Sequence, residues 1–95
     1  SGAPVIKKVT ALTGVVSNGD QIPLPPGLTQ DECVWFVSPK DVSSGYTQGR
    51  IRRIVCYADS NRYVTVGCYY YKDVNNTNVW KSGTANYLIM GSNAS

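Results

Sequence analysis

The sequence predicts an all-β domain, a small antiparallel β-sandwich of about six to eight short strands with at most one helical turn. Two observations support this fold class. No segment of useful length repeats its apolar residues with helical periodicity. The apolar runs are instead rich in β-branched and aromatic residues, and clusters of turn-forming residues separate them. A chain of 95 residues is the size of a single domain, so residues 1–95 are interpreted as one unit.

The predicted strands are the apolar runs between these turn residues. In chain order they span residues 5–12, 13–16, 32–37, 51–57, 63–71, 79–81 and 87–90. The run at 79–81 is the weakest of them. Many short strands at this spacing favour a sandwich or a small barrel.

Turns and connections are predicted from residues with special backbone preferences. Asn18-Gly19 accepts positive φ readily, so residues 17–20 are predicted to form a hairpin-type turn. Three prolines between residues 23 and 26 lack an N–H donor, which makes that stretch an edge or an extended connection. The pair Thr29 and Glu32 has capping-box spacing and marks the single helical turn.

One hairpin can be predicted with a register. If residues 58–62 form the loop, Cys56 lies opposite Val64 and Ile54 opposite Val66, on an apolar face that points inward. Arg52 then lies opposite Cys68 on the same face. The outward face carries Arg53, Val55, Tyr57, Tyr63, Tyr69 and Tyr71, of which all but Val55 are polar or aromatic.

The three cysteines, Cys33, Cys56 and Cys68, are interpreted as reduced core residues. Their spacings match no zinc pattern and the chain has no histidine, so neither a metal site nor a cofactor is expected. A single bridge with one leftover thiol is the alternative. In the predicted register, Cys56 and Cys68 lie further apart than the roughly 7 Å that a disulfide tolerates.

Catalysis is not expected, and no catalytic residue is assigned. Asp31 and Glu32 are adjacent and would diverge in a strand or a turn, which disfavours an acid–base pair. No motif for an activated nucleophile is present in the sequence. The chain is therefore predicted to be non-enzymatic.

Nucleic-acid binding is a weaker alternative. The net charge of +3 is mild, but Arg50, Arg52 and Arg53 cluster near Tyr57 and could track a single strand as an OB-fold does. Because residues alternate along a strand, Arg52 and Arg53 are expected on opposite faces, which disfavours a cationic groove.

Two surfaces are candidates for binding. The outward Arg53, Tyr57, Tyr63, Tyr69 and Tyr71 fit a partner or glycan surface, or else a cover for a second sheet or a subunit interface. The polar loops at residues 40–49, 59–62 and 73–78 fit adaptable binding loops, or else plain solvent loops. The residues within or beside these loops that are predicted to bind a ligand are Tyr46, Trp80, Asn76 and Asn78.

An ordered motif spans residues 14–39 and reads G-x-x-x-x-G-D-x-I-P-L-P-x-G-x-T-x-x-x-C-x-W-x-V-S-P. Its densest parts are Ile22-Pro23-Leu24-Pro25, Gly27, Thr29, Cys33-Val34-Trp35 and Ser38-Pro39. This block, roughly a quarter of the chain, resembles the C-terminal module of bacteriophage tail-fibre proteins.

The resemblance implies the distal part of a longer, homotrimeric fibre that contacts a host cell-surface glycan, lipopolysaccharide or outer-membrane protein. It also implies a virion protein that is made in the bacterial host cytoplasm. No apolar run approaches the roughly 20 residues of a membrane span, so no membrane insertion is expected. A purely structural fibre or baseplate module is the alternative.

Overall fold

The computed structural model describes residues 8–46, 50–73 and 78–93. Within these ranges the chain forms six strands and one short 3-10 turn, Gln30–Glu32, which confirms the predicted all-β class. The strands are β1 (Thr10–Ser17), β2 (Cys33–Asp41), β3 (Ile51–Ala58), β4 (Val64–Tyr70), β5 (Val79–Ser82) and β6 (Thr84–Gly91).

The strands form two antiparallel three-stranded sheets. The first sheet has the order β1-β6-β2, and the second has the order β3-β4-β5. In the first sheet the central strand is therefore β6, which pairs with both β1 and β2. In the second sheet the strands follow chain order, so each pairs with the next.

The hydrophobic core lies between the two sheets. Val16 and Ile89 contribute from the first sheet, Val64 and Val66 from the second, and Ile22 from the segment that connects β1 to β2. Burying side chains of this size contributes about 1.5–3 kcal/mol each relative to leaving them exposed. The alternation of buried and exposed residues along β1 and β2 follows from the two-residue period of a strand.

The turn at residues 17–20 is present, but it does not join a hairpin. Gly19 has a φ of 90°, and Asp20 closes the turn through its N–H to the Ser17 carbonyl at 3.0 Å. Gly19 N–H then donates to the Val64 carbonyl at 2.7 Å, so the chain passes from the first sheet to the edge of β4. The turn thus covers the first residues of β4, the central strand of the second sheet, which β5 pairs with only from Gly67 to Tyr70.

A buried arginine holds the proline-rich connection in place. The Nε of Arg62 donates to the carbonyl of Ile22 at 2.8 Å, and its Nη1 donates to Oε1 of Gln30. The predicted capping box is confirmed by Thr29 N–H, which donates to Glu32 Oε1 at 2.9 Å. These bonds fix the extended segment and the 3-10 turn against the 59–63 turn.

Several strand boundaries differ from the prediction. Strand β6 begins at Thr84 and ends at Gly91, whereas residues 87–90 were predicted. The runs at 5–12 and 13–16 were expected as two strands, whereas Thr10–Ser17 is one strand in unbroken register with β6; residues 5–7 lie outside the described residues. Strand β2 continues through Pro39 to Asp41, further than residue 37. An edge strand tolerates proline, and a register shift between Pro39 and Asp41 accommodates it.

The predicted register of the β3–β4 hairpin is wrong by two residues. Cys56 pairs with Val66 and Ile54 with Cys68, because Asp59 moves the turn one residue along the chain. Its Oδ1 accepts bonds from the N–H groups of Asn61 and Tyr63, both at 2.9 Å. A shift of two residues preserves the faces, so Cys56 and Ile54 still share one face with Val66 and Cys68.

The three cysteines are free thiols in the structure. Cys68 is buried in the second sheet, and Cys33 and Cys56 are half-buried. Burial raises the pKa of both half-buried thiols, and the carboxylate of Glu32 adds to the effect at Cys33.

Candidate binding site

The outer face of the second sheet carries a continuous groove. One part has a volume of about 500 Å³ and the other about 560 Å³, and Arg53 and Tyr69 line both. We call this surface the aromatic groove and define it by its lining residues. They are Asn18, Gly19, Arg52, Arg53, Val55, Tyr57, Val64, Thr65, Tyr69, Asn78 and Trp80.

Strand pairing builds the centre of the groove. Arg53 pairs with Tyr69, and Tyr69 pairs with Trp80, so three adjacent strands each place one side chain in a single row. The rings of Tyr69 and Trp80 meet edge to face, with centroids 5.0 Å apart. On the other side of the tyrosine, Cζ of Arg53 lies 5.0 Å from the ring centroid.

The indole of Trp80 is held in one orientation. It lies over Gly67, where a Cβ atom would be 2.5 Å from Trp80 Cζ2, so only glycine leaves room for the ring. Its Nε1 donates to Ser82 Oγ at 3.1 Å, and Asn18 Nδ2 donates to the same oxygen at 3.2 Å. The indole of Trp80, which was predicted to bind a ligand, is thus held in place by its strand, by Gly67 and by the 17–20 turn.

Arg52 and Arg53 line the same groove, and the expectation that they lie on opposite faces is wrong. A β-bulge between Ile51 and Arg53 breaks the alternation at this point of β3. Cys68, the predicted partner of Arg52, pairs with Ile54 because of the two-residue shift in register. Arg52 Nη1 donates to Asn78 Oδ1 at 2.9 Å, and its Cζ lies 5.5 Å from the Tyr71 ring centroid.

The predicted partner surface falls largely in or beside the groove. Tyr57 is 54% exposed and lines it, together with Arg53 and Tyr69. Tyr71 lies at the margin, against Arg52. Tyr63 is exposed but belongs to the 59–63 turn, where it forms a bridge to Gln21 outside the groove lining.

Tyr46 and Trp80 do not share a surface. Tyr46 packs on Tyr70, with ring centroids 5.8 Å apart, and Arg50 lies over its ring at 4.6 Å. Tyr70 pairs with Val79 and therefore points to the face opposite that of Tyr69 and Trp80. Of the predicted amides, Asn78 lines the groove, whereas Asn76 lies outside the described residues.

The groove is cationic. Among its described lining residues the charged ones are Arg52 and Arg53, and none is acidic. Three lining residues escaped sequence reasoning. Asn18 was assigned only to a turn, Arg52 was excluded by strict alternation, and Thr65 carried no signal.

The described lining residues of the aromatic groove include no carboxylate or thiol, and no group of three metal-binding side chains occurs in the described part of the chain. Asp31 and Glu32 lie in the 3-10 turn, where both accept bonds from Thr29. The raised pKa of Cys33 and of Cys56 is opposite to the shift that an activated nucleophile needs.

The outer face of the first sheet is apolar and has no cover among the described elements. Phe36 is 58% exposed, Val34 55% and Val15 47%. Leu88 pairs with Phe36, and Met90 pairs with Val34, so both lie on the same face of the sheet. We call these five residues the apolar face. Exposed apolar areas of this kind are typical of contact surfaces.

Comparisons with known proteins give one partial relation. A stretch of 60 residues, 63% of this chain, is 38% identical to Shufflon protein D' of Escherichia coli. The match covers 13% of that protein, so this chain spans a small part of its length. No protein-family model matches the chain, and no solved structure matches it. In the described ranges, no helix is long and apolar enough to cross a membrane.

Proposed function

We propose that this chain is a non-enzymatic receptor-binding module, the distal domain of a bacteriophage tail-fibre protein. It binds a host cell-surface glycan, such as lipopolysaccharide, or an outer-membrane protein. The aromatic groove is the observation that carries this proposal. The partial identity to a shufflon protein is compatible with a module that occurs inside longer proteins.

The groove has the properties of a carbohydrate contact surface. Trp80 and Tyr69 present aromatic rings that can stack on a sugar, beside polar groups of Asn18, Thr65 and Asn78. Its two parts fall within the 300–1,000 Å³ that is typical of small-ligand sites. Because hydrogen bonds and packing already hold the indole, binding would order few side chains.

The parent particle and its assembly are also part of the proposal. The module acts in the virion as part of a homotrimeric fibre, after synthesis in the cytoplasm of the bacterial host. Free thiols suit a reducing compartment. Copies of the chain would contact one another through the apolar face, because its exposed Phe36 and Val34 supply the contact area.

The test is binding of the fluorescently labelled domain to a panel of Gram-negative strains that includes lipopolysaccharide-truncated mutants. We expect strain-selective binding that is lost when particular sugars are absent. Trp80→Ala should abolish it, whereas Tyr46→Ala, on the opposite face, should retain it. Loss with Tyr46→Ala alone would move the site to the other face of the sheet.

A purely structural fibre or baseplate module is the second candidate, and the apolar face favours it. It predicts normal folding and assembly without cell binding. A folded trimer that binds none of the strains would therefore support the structural role and contradict receptor binding. A monomer that fails to bind must be retested as a trimer, because three weak sites act together.

A further inference from the structure

We propose that the aromatic groove takes an anionic saccharide, with its carboxylate or phosphate at Arg53 and a sugar ring against Trp80. This inference rests on the proposed receptor-binding function and names the chemistry of the ligand. It predicts that the groove prefers a charged sugar to a neutral one. Stacking of a sugar on aromatic rings alone would not produce this preference.

Arg53 has the position of an anion-binding group. Its side chain is exposed and lies over Tyr69, and it makes no hydrogen bond or ion pair with any described residue. A guanidinium has five N–H donors in a planar fork that matches a carboxylate or a phosphate. Since the tyrosine ring supports the guanidinium from one side, its N–H edges stay available for a ligand.

The guanidinium of Arg53 and the indole of Trp80 both contact the ring of Tyr69. The centroid of the Tyr69 ring lies 5.0 Å from the centroid of the Trp80 ring and 5.0 Å from Arg53 Cζ. A sugar on the indole would therefore have its substituents within reach of the guanidinium. With no acidic residue in the described lining, nothing there competes for Arg53. The groove is complementary in charge to an acidic sugar.

The arrangement favours one anionic group over a nucleic-acid backbone. A single strand needs a track of cations with stacking bases. Arg50, the third arginine of the cluster, lies against Tyr46 and donates to the Lys72 carbonyl at 2.6 Å. Tyr46 packs on the opposite face of the sheet, so Arg50 does not extend the groove. Arg52 is already bonded to Asn78.

The experiment uses surface polysaccharide extracted from a strain that the labelled domain binds. Three forms compete with cells for the domain: native, carboxyl-reduced, and dephosphorylated with hydrofluoric acid. We expect one of the two treatments to weaken competition about tenfold. This change in affinity corresponds to the loss of a hydrogen bond to a charged group. The treatment that does so identifies the anion as carboxylate or phosphate.

Variants of the chain test the assigned residue. Arg53→Gln should remove the preference for the native polysaccharide over the treated form, and Arg53→Lys should keep part of it. Arg50→Gln is the matched control, with the same charge loss outside the groove, and should leave the preference unchanged. Arg53 has no bonded partner among the described residues, so its variants should fold normally.

Several results would overturn the inference. Equal competition by all three forms would remove the charge preference while leaving glycan binding intact. Tighter binding of single-stranded oligothymidylate than of the polysaccharide, with steep salt dependence, would assign the groove to nucleic acid. Failure of every polysaccharide form to compete on strains that the domain does bind would point to a protein receptor. Failure of a folded trimer to bind any strain would instead contradict the proposed function itself.

Discussion

The ring of Tyr87 covers Gly14, its partner across the β1–β6 pair. A Cβ atom at position 14 would lie 2.7 Å from both Cε2 and the hydroxyl oxygen of the tyrosine. The glycine that begins the tail-fibre-like motif is thus explained by packing. The same packing allows β1 to continue through Gly14, because the tyrosine ring fills the space that a side chain at position 14 would occupy.

Gly14→Ala should lower the free energy of unfolding by about 1–3 kcal/mol, because the methyl group displaces a packed ring. Urea unfolding measures the change. In a Tyr87→Ala background the same substitution should lose most of its effect, since the atoms that Cβ would meet belong to Tyr87. Thr13→Ala, at an exposed neighbouring position, is the control. An equal loss with and without Tyr87 would contradict this account.

Ser82→Ala should weaken cell binding several-fold while changing stability by only about 1 kcal/mol. The substitution removes the oxygen that accepts bonds from both Trp80 Nε1 and Asn18 Nδ2, so the indole loses its fixed orientation. Near-ultraviolet circular dichroism and the cell-binding assay report the two effects. Ser38→Ala, which removes a similar bond with Asn86 on the first sheet, should leave binding unchanged.

Arg62→Ala should destabilise the domain by about 2 kcal/mol or more, because the buried carbonyl of Ile22 loses a charged donor. Arg62→Lys should recover little, since an ammonium group cannot reproduce the planar fork that reaches both Ile22 and Gln30. Thermal unfolding compares these variants with Arg53→Ala, which removes an exposed arginine. Similar midpoints for Arg62→Ala and Arg53→Ala would refute the structural role of Arg62.

Alkaline pH should destabilise the fold through Cys33 and Cys56. Burial raises the pKa of both thiols above the ordinary value of 9.0, so the folded chain holds these protons more tightly than the unfolded chain. Their contribution to stability is complete below that value and is lost as pH rises through the raised pKa. Urea unfolding from pH 7 upward should show this loss, and a Cys33→Ala/Cys56→Ala variant should show less of it.

If copies of the chain contact one another through the apolar face, as proposed, Phe36→Glu should reduce their association, because it places a charge in that face. Sedimentation velocity on the wild type and the variant measures the shift towards monomer. Tyr63→Glu is the control, since Tyr63 is exposed but lies outside both the apolar face and the groove. If Tyr63→Glu dissociates the assembly and Phe36→Glu does not, the subunit contact lies near Tyr63 and not on the apolar face.

The fold class and several local features were predictable because they depend on short-range chemistry. The Asn18-Gly19 turn, the capping box at Thr29 and the inward face of Cys56 follow from backbone preferences and alternation. The bulge beside Arg53 does not, because an extra residue in a strand leaves no periodic trace. The separation of Tyr46 from Trp80 depends on sheet order, which local patterns do not encode.

The central position of β6 sets the order in which the molecule can be assembled during translation. Both β1 and β2 pair with β6, which is the last strand in chain order among the described elements. Neither can therefore find its partner until residues 84–91 have left the ribosome, whereas the second sheet can form strand by strand. Until then, β1 and β2 lack their strand partner, and a nascent chain stopped before β6 is a candidate for aggregation.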